Sequence, residues 1–107
     1  MKLSELLKNI RPTAIIGKQD VDIKGVNIDS RKIAEGHLFI AMKGTQVDGH
    51  RFIPKAIELG AKAILCENLP EIIDENITYI EVESTEDAAG KVATLFYGDP
   101  SKKLKII

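Results

Sequence analysis

At 107 residues the chain has the length of one domain with a single core. Fifteen Lys and Arg against sixteen Asp and Glu leave a formal net charge of -1, which supplies no basic face for a nucleic-acid partner. A single cysteine excludes a disulfide framework. No signal-peptide pattern and no apolar run near about 18 residues occur, so the chain is expected to be cytoplasmic and soluble, with no membrane partner.

In chain order, Leu3, Leu6 and Leu7 around Ser4 predict a short amphipathic helix over 3–9, ended by Pro12. Residues 13–17 and 21–28 read as strands. In the second, the apolar alternation slips by one residue near Gly25, which suits a bulge. Glu35-Gly36 is a turn. The almost continuous apolar run over 38–42 predicts a strand covered on both faces. Phe52, Ile53, Ala56 and Ile57 recur at helical spacing, predicting a helix over 52–59 with Pro54 in its first turn and Gly60 as its stop.

Residues 61–66 form the next strand, with Cys66 inside it as a small buried residue rather than a nucleophile. The acidic stretch 67–76, with Pro70 inside it, reads as a solvated connection. A strand over 78–82 carries Ile80 and Val82 on one face. A helix then starts at Ser84 or Thr85, either of which can cap it, with Glu86 or Asp87 answering at the first turn. It packs through Ala88, Ala89, Val92, Ala93, Leu95 and Phe96 and stops at Gly98, before Asp99-Pro100. Strands alternating with helices predict an α/β fold, a mixed sheet flanked by helices. Leu104 to the end at Ile107 begins another apolar run, so the chain reads as cut within a following domain.

Two polar turns at strand ends hold the candidate chemistry. Asp29-Ser30-Arg31 follows the strand over 21–28, and the loop 43–49 follows the strand over 38–42. Ordinary turn chemistry accounts for either one alone, because Asp and Ser side chains bond nearby backbone amides. Both, however, sit where α/β sheets tend to bind ligands. Ser30, Thr45 and Gln46 offer donors and acceptors suited to a pyrimidine edge or to phosphate oxygens. Gly44 and Gly49 allow close backbone approach. His37 and His50, without metal-ligand spacing, read as surface or packing residues, so no metal site is expected. Neither G-x-G-x-x-G nor G-x-x-x-x-G-K-[ST] occurs, so no dinucleotide fingerprint or triphosphate loop is present.

The string Asp29-Ser30-Arg31, Gly36-x-Leu38-Phe39-x-Ala41, Gly44-Thr45-x-x-Asp48-Gly49-His50-x-Phe52-Ile53 and Ala56-Ile57-x-x-Gly60-Ala61 resembles the N-terminal domain of Mur ligases. Within that family, Phe96-Tyr97-x-x-Pro100-Ser101-x-x-Leu104 is similar to the MurE type, which adds the third amino acid of the peptidoglycan stem. The MurF type, which adds D-Ala-D-Ala, shares the first motifs but usually lacks this linker and is the alternative. A stand-alone α/β binding module is a further one.

The resemblance implies a domain over 1–98 that binds the UDP part of UDP-MurNAc-L-Ala-D-Glu, with 99–107 as linker and first strand of a central ATP-binding domain. It places substrate contacts on Ile28, Ser30, Thr45, Gln46 and Val47, and turn-shaping roles on Asp29, Arg31, Gly44, Asp48 and Gly49. It implies ATP and Mg2+ as cofactors of the full-length enzyme, which phosphorylates the D-Glu carboxylate before the incoming amine (meso-diaminopimelate or L-lysine) attacks. The partners implied are the UDP-sugar peptide and the enzyme's own central and C-terminal domains. The chain itself is expected to carry no catalytic residue and to be inactive alone.

Overall fold

The computed structural model describes residues 2–8, 10–42 and 49–97, apart from the side chain of Tyr97. Its elements run α1 Leu3–Leu6, β1 Ala14–Ile16, β2 Gly25–Asn27, β3 His37–Ile40, α2 Ile53–Leu59, β4 Ala63–Cys66, β5 Thr78–Glu81 and α3 Thr85–Tyr97. Short 3-10 turns occupy Ser30–Lys32 and Gly49–Phe52.

The strands make one five-stranded sheet in the order β1-β5-β4-β3-β2. β2 to β5 are parallel neighbours, and β1 joins β5 antiparallel with Ala14 opposite Glu81. The mixed sheet flanked by helices expected from the sequence is therefore present. Successive side chains of a strand face opposite sides, and both sides are covered here. Leu38, Ile40, Leu65, Ile80 and Val82 meet Leu3 and Leu6 of α1 and Ala88 and Val92 of α3. Phe39, Ile64, Cys66 and Tyr79 meet Ile53 and Ala56 of α2 on the opposite side. Because β4 is covered on both faces, all four of its side chains are buried, which is why its sequence is uniformly apolar rather than alternating.

Several predicted boundaries are corrected. The helix predicted over 3–9 closes after Leu6, with Leu7 as its C-terminal cap; Asn9 lies outside the described residues. Of the strand predicted over 21–28, Gly25 to Asn27 join the sheet, in step with His37 to Phe39 and without a bulge, while Asp22 makes an isolated antiparallel bridge to Lys2. Residues 19 and 21 instead give their carbonyls to α1, through Ser4 N–H to Gln19 O at 2.9 Å and Leu3 N–H to Val21 O at 2.8 Å. Ile23 is still buried, beneath α1. Its apolarity reflects core packing rather than a sheet ladder. Phe52 belongs to the 3-10 turn before α2 rather than to the helix, and is 39% exposed.

α2 ends as its sequence requires. Gly60 has φ 115°, and its N–H bonds back to the helix, the left-handed stop that glycine adopts without a Cβ penalty. At the start of α3, Ser84 Oγ accepts from Asp87 N–H at 3.3 Å, so Ser84 is the capping residue. Thr85 is buried and points elsewhere. The stop expected at Gly98 and the run beyond it lie outside the described residues.

Candidate functional site

The four parallel strands all end at the same edge of the sheet. There β2 runs into Ile28 to Arg31, β3 into Ala41 and Met42, β4 into Glu67 and β5 into Ser84. Loops leaving the carboxyl ends of parallel strands are free to vary while the strands hold them in place, so this edge is where such sheets bind ligands.

The first turn is built by its own side chains. Asn27 Oδ1 accepts from Asp29 N–H at 3.1 Å, and Asp29 Oδ1 accepts from Arg31 N–H at 3.0 Å. These are two successive Asx-type turns that stop β2 and start the 3-10 turn. The Asp29 carboxylate also accepts from Arg31 Nε at 3.1 Å on one oxygen and from Nη2 at 3.0 Å on the other. This fork-on-fork pairing holds the Asp29 carboxyl below the usual carboxylate range, and raises the Arg31 guanidinium correspondingly. Arg31 nonetheless leaves 86% of its side chain exposed. Between the two, Ser30 is buried at 6% exposure and Ile28 stands out at 58%.

Across from this turn, the opposite wall is formed by Met42 at the end of β3 and by Gly49 and Phe52 of the second 3-10 turn. The two walls enclose an open cleft of about 610 Å³ that Ile28, Asp29, Ser30 and Arg31 line from the first side. The cleft thus combines apolar surface on Ile28, Met42 and Phe52 with the polar groups of Ser30 and Arg31. That composition suits a ligand with a flat ring and a polar or anionic tail.

The structure brings Ile28, Ser30, Asp29, Arg31 and Gly49 together at this cleft. Gly44, Thr45, Gln46, Val47 and Asp48 lie outside the described residues. Gly49 does make a close approach, but to its own chain: its N–H donates to Met42 O at 2.7 Å. Met42 and Phe52, which read as core from their apolar neighbours in sequence, also line the cleft. An aromatic directly before a helix-starting Ile-Pro was the available signal.

The acidic stretch after β4 is an irregular connection, as expected, with one exception at its start. Most of the stretch is exposed or half-buried as a solvated connection would be, but Glu67 is half-buried and bonded. Its carboxylate accepts from Thr85 N–H at 3.0 Å and Thr85 Oγ1 at 2.9 Å, tying the end of β4 to the start of α3. Cys66, just before it, is fully buried, and its thiol points at Ile80 O at 3.7 Å. Burial, with a smaller contribution from the Glu81 charge, pushes the thiol up to about 12, so it is protonated and unreactive at neutral pH. Among the described residues no group of three or more His, Cys, Asp or Glu could hold a metal ion. No helix among them is long and apolar enough to cross a membrane.

The family model described as "Mur ligase family, catalytic domain" matches residues 22–97, well over half of the chain. The UDP-N-acetylmuramoyl-L-alanyl-D-glutamate--2,6-diaminopimelate ligase of Bacteroides fragilis is 58% identical over 107 residues, which is 100% of this chain and 22% of that protein. The ligase of the same name from Clostridium tetani is 38% identical over 109 residues, with the same two coverages. The chain thus spans 22% of the length of these curated relatives. Among solved structures, UDP-N-acetylmuramoylalanyl-D-glutamyl-2,6-diaminopimelate--D-alanyl-D-alanyl ligase from Acinetobacter baumannii superposes with a TM-score of 0.68 at 26% identity, over 84% of this chain and 20% of that one. MurF ligase from Thermotoga maritima in complex with ADP gives 0.58 at 34% identity, over 71% and 17%. With the family model matching residues 22–97 of 107, the chain belongs to the Mur ligase family.

Proposed function

We propose that residues 1–98 are the UDP-sugar-binding domain of an ATP-dependent ligase that adds the third amino acid to UDP-MurNAc-L-Ala-D-Glu in peptidoglycan synthesis, and that 99–107 lead into its central domain. The observation that carries this is the cleft itself. A serine-bearing turn, rigidified by the Asp29–Arg31 fork, faces Phe52 and Met42 at the carboxyl edge of a parallel sheet. In this reading the uracil lies between Ile28 and Phe52. Ser30 supplies a hydrogen bond, and the exposed Arg31 guanidinium faces the diphosphate. Thr45, Gln46 and Val47 complete the contacts from the second loop, and Gly44 and Asp48 shape it.

The chain's own contribution is affinity and orientation: it holds one end of a long substrate so that the distant carboxylate is presented to the rest of the enzyme. ATP and Mg2+ do not fit the residues present here. The sequence holds no triphosphate loop, and the described residues hold no cluster of metal-ligating side chains. Both cofactors are therefore assigned to other parts of a longer protein. The amino acid added is assigned as 2,6-diaminopimelate, after the substrate in the names of the relatives at 38% to 58% identity. The MurF-type alternative rests on the solved structures, which are less similar in sequence, at 26% and 34%.

The test is an assay of the full-length protein for phosphate release. The proposal predicts release that requires ATP, UDP-MurNAc-L-Ala-D-Glu and diaminopimelate together, and none from the 107-residue chain. Release that requires D-Ala-D-Ala and the tripeptide substrate instead would establish the MurF-type reading. Turnover by the 107-residue chain would overturn the division of labour.

A further inference from the structure

His50 attaches one wall of the cleft to the sheet. Its Nε2 accepts hydrogen bonds from the backbone N–H of Glu67 at 2.9 Å and of Asn68 at 3.2 Å. These are the first two amides beyond β4, so the ring closes over the end of that strand. A nitrogen that accepts two N–H groups must present its lone pair, which makes the imidazole neutral with its proton on Nδ1. One residue earlier, Gly49 N–H is bonded to Met42 O at the end of β3. Two residues later, Phe52 lines the cleft. The turn Gly49–Phe52 is thus pinned to two neighbouring strand ends, and the peg on β4 is a side chain. Glu67 carries the connection onward, because its carboxylate holds Thr85 at the first turn of α3.

We propose that His50 is a positioning residue: by bonding the two amides after β4 it sets where the Gly49–Phe52 wall stands, and through that wall the affinity of the cleft for a uridine nucleotide. The second half rests on the cleft's assignment above; the first half does not. A histidine that merely filled space would be replaceable by an apolar residue of similar size. One that acts through its acceptor is replaceable by glutamine, whose side-chain oxygen has two lone pairs at similar reach.

The experiment compares wild type, His50→Ala, His50→Leu and His50→Gln by amide hydrogen exchange and by titration with UDP. Exchange at Gly49 N–H, which donates to Met42 O, is expected to speed up in H50A and H50L and to return toward wild type in H50Q. UDP affinity is expected to fall about fivefold in H50A and H50L, the worth of roughly one neutral hydrogen bond, and to recover in H50Q. The imidazole ¹⁵N spectrum of wild type should show Nε2 unprotonated. Unchanged Gly49 exchange in H50A, or full function in H50L, would overturn the positioning role. If Gly49 exchange responds as expected but wild type itself does not bind UDP, the positioning role stands and the nucleotide reading of the cleft fails.

Discussion

Replacing Gly49 with alanine is the sharpest structural perturbation of the cleft. A β-carbon there would lie 2.6 Å from the carbonyl oxygen and 2.8 Å from the nitrogen of Met42. Both are backbone atoms, so no rotamer change relieves the contact. Restoring a separation of about 3.5 Å requires the wall to withdraw by nearly an ångström. The Gly49 N–H to Met42 O bond, 2.7 Å long, would then be stretched or lost. Overpacking of this kind costs about 1–3 kcal/mol, and the bond about 0.5–1.5 kcal/mol. A loss of roughly 2–4 kcal/mol lowers the melting point of a domain this size by roughly 10 °C or more. Gly90 is the internal control: it sits inside α3 with nothing within 4 Å of an added β-carbon. Gly90→Ala should therefore gain about 0.5–1 kcal/mol from helix propensity. Urea denaturation of both variants reads the two signs, and UDP titration reads the displaced wall in Gly49→Ala. A Gly49→Ala protein as stable as wild type, with unchanged UDP affinity, would refute the close approach on which the cleft's shape depends.

Ser30→Ala should weaken UDP binding several-fold, the worth of about 0.5–1.5 kcal/mol, and in the full-length enzyme should raise KM for the UDP-sugar peptide while leaving KM for ATP nearly unchanged. Cys66 should resist a thiol reagent at pH 8 in the native protein and react once unfolded. Because its pKa is raised in the fold, it leaves stability unaffected at neutral pH and lowers it as pH climbs from the ordinary thiol range toward about 12. Asp29 has the opposite sign. Its depressed carboxyl keeps the turn intact above the usual carboxylate range and releases it as pH falls through the depressed value. The Arg31 amide resonance should report that transition, and Asp29→Asn should remove it.

Local patterns were readable where one residue type answers one local demand. Pro54 and Gly60 bracket α2 because a helix start tolerates a missing N–H and a left-handed stop favours glycine. The uniform apolarity of Ala63 to Cys66 reports a strand buried on both faces. The Asp29-Ser30-Arg31 turn was visible because its hydrogen bonds span two residues. What sequence could not show depends on distant partners. Val21 and Ile23 look like strand residues, yet that segment bonds to α1 and only Ile23 is buried. β1 lies beside β5, more than sixty residues away, and no local pattern specifies that neighbour. Glu67 resembles any acid in a charged loop until Thr85 folds over it. His50 stands in the motif string, but its role is not legible there, because its partners are backbone amides seventeen and eighteen residues along the chain.

The most direct test of the nucleotide cleft is an NMR titration of the 107-residue chain with UMP, UDP and ATP. The account predicts weak saturable shifts with the uridine nucleotides, centred on Ile28 to Arg31, Met42 and Gly49 to Phe52, stronger with UDP than with UMP, and none with ATP. Shifts confined to ATP, or uridine shifts that map to the opposite edge of the sheet, would contradict it.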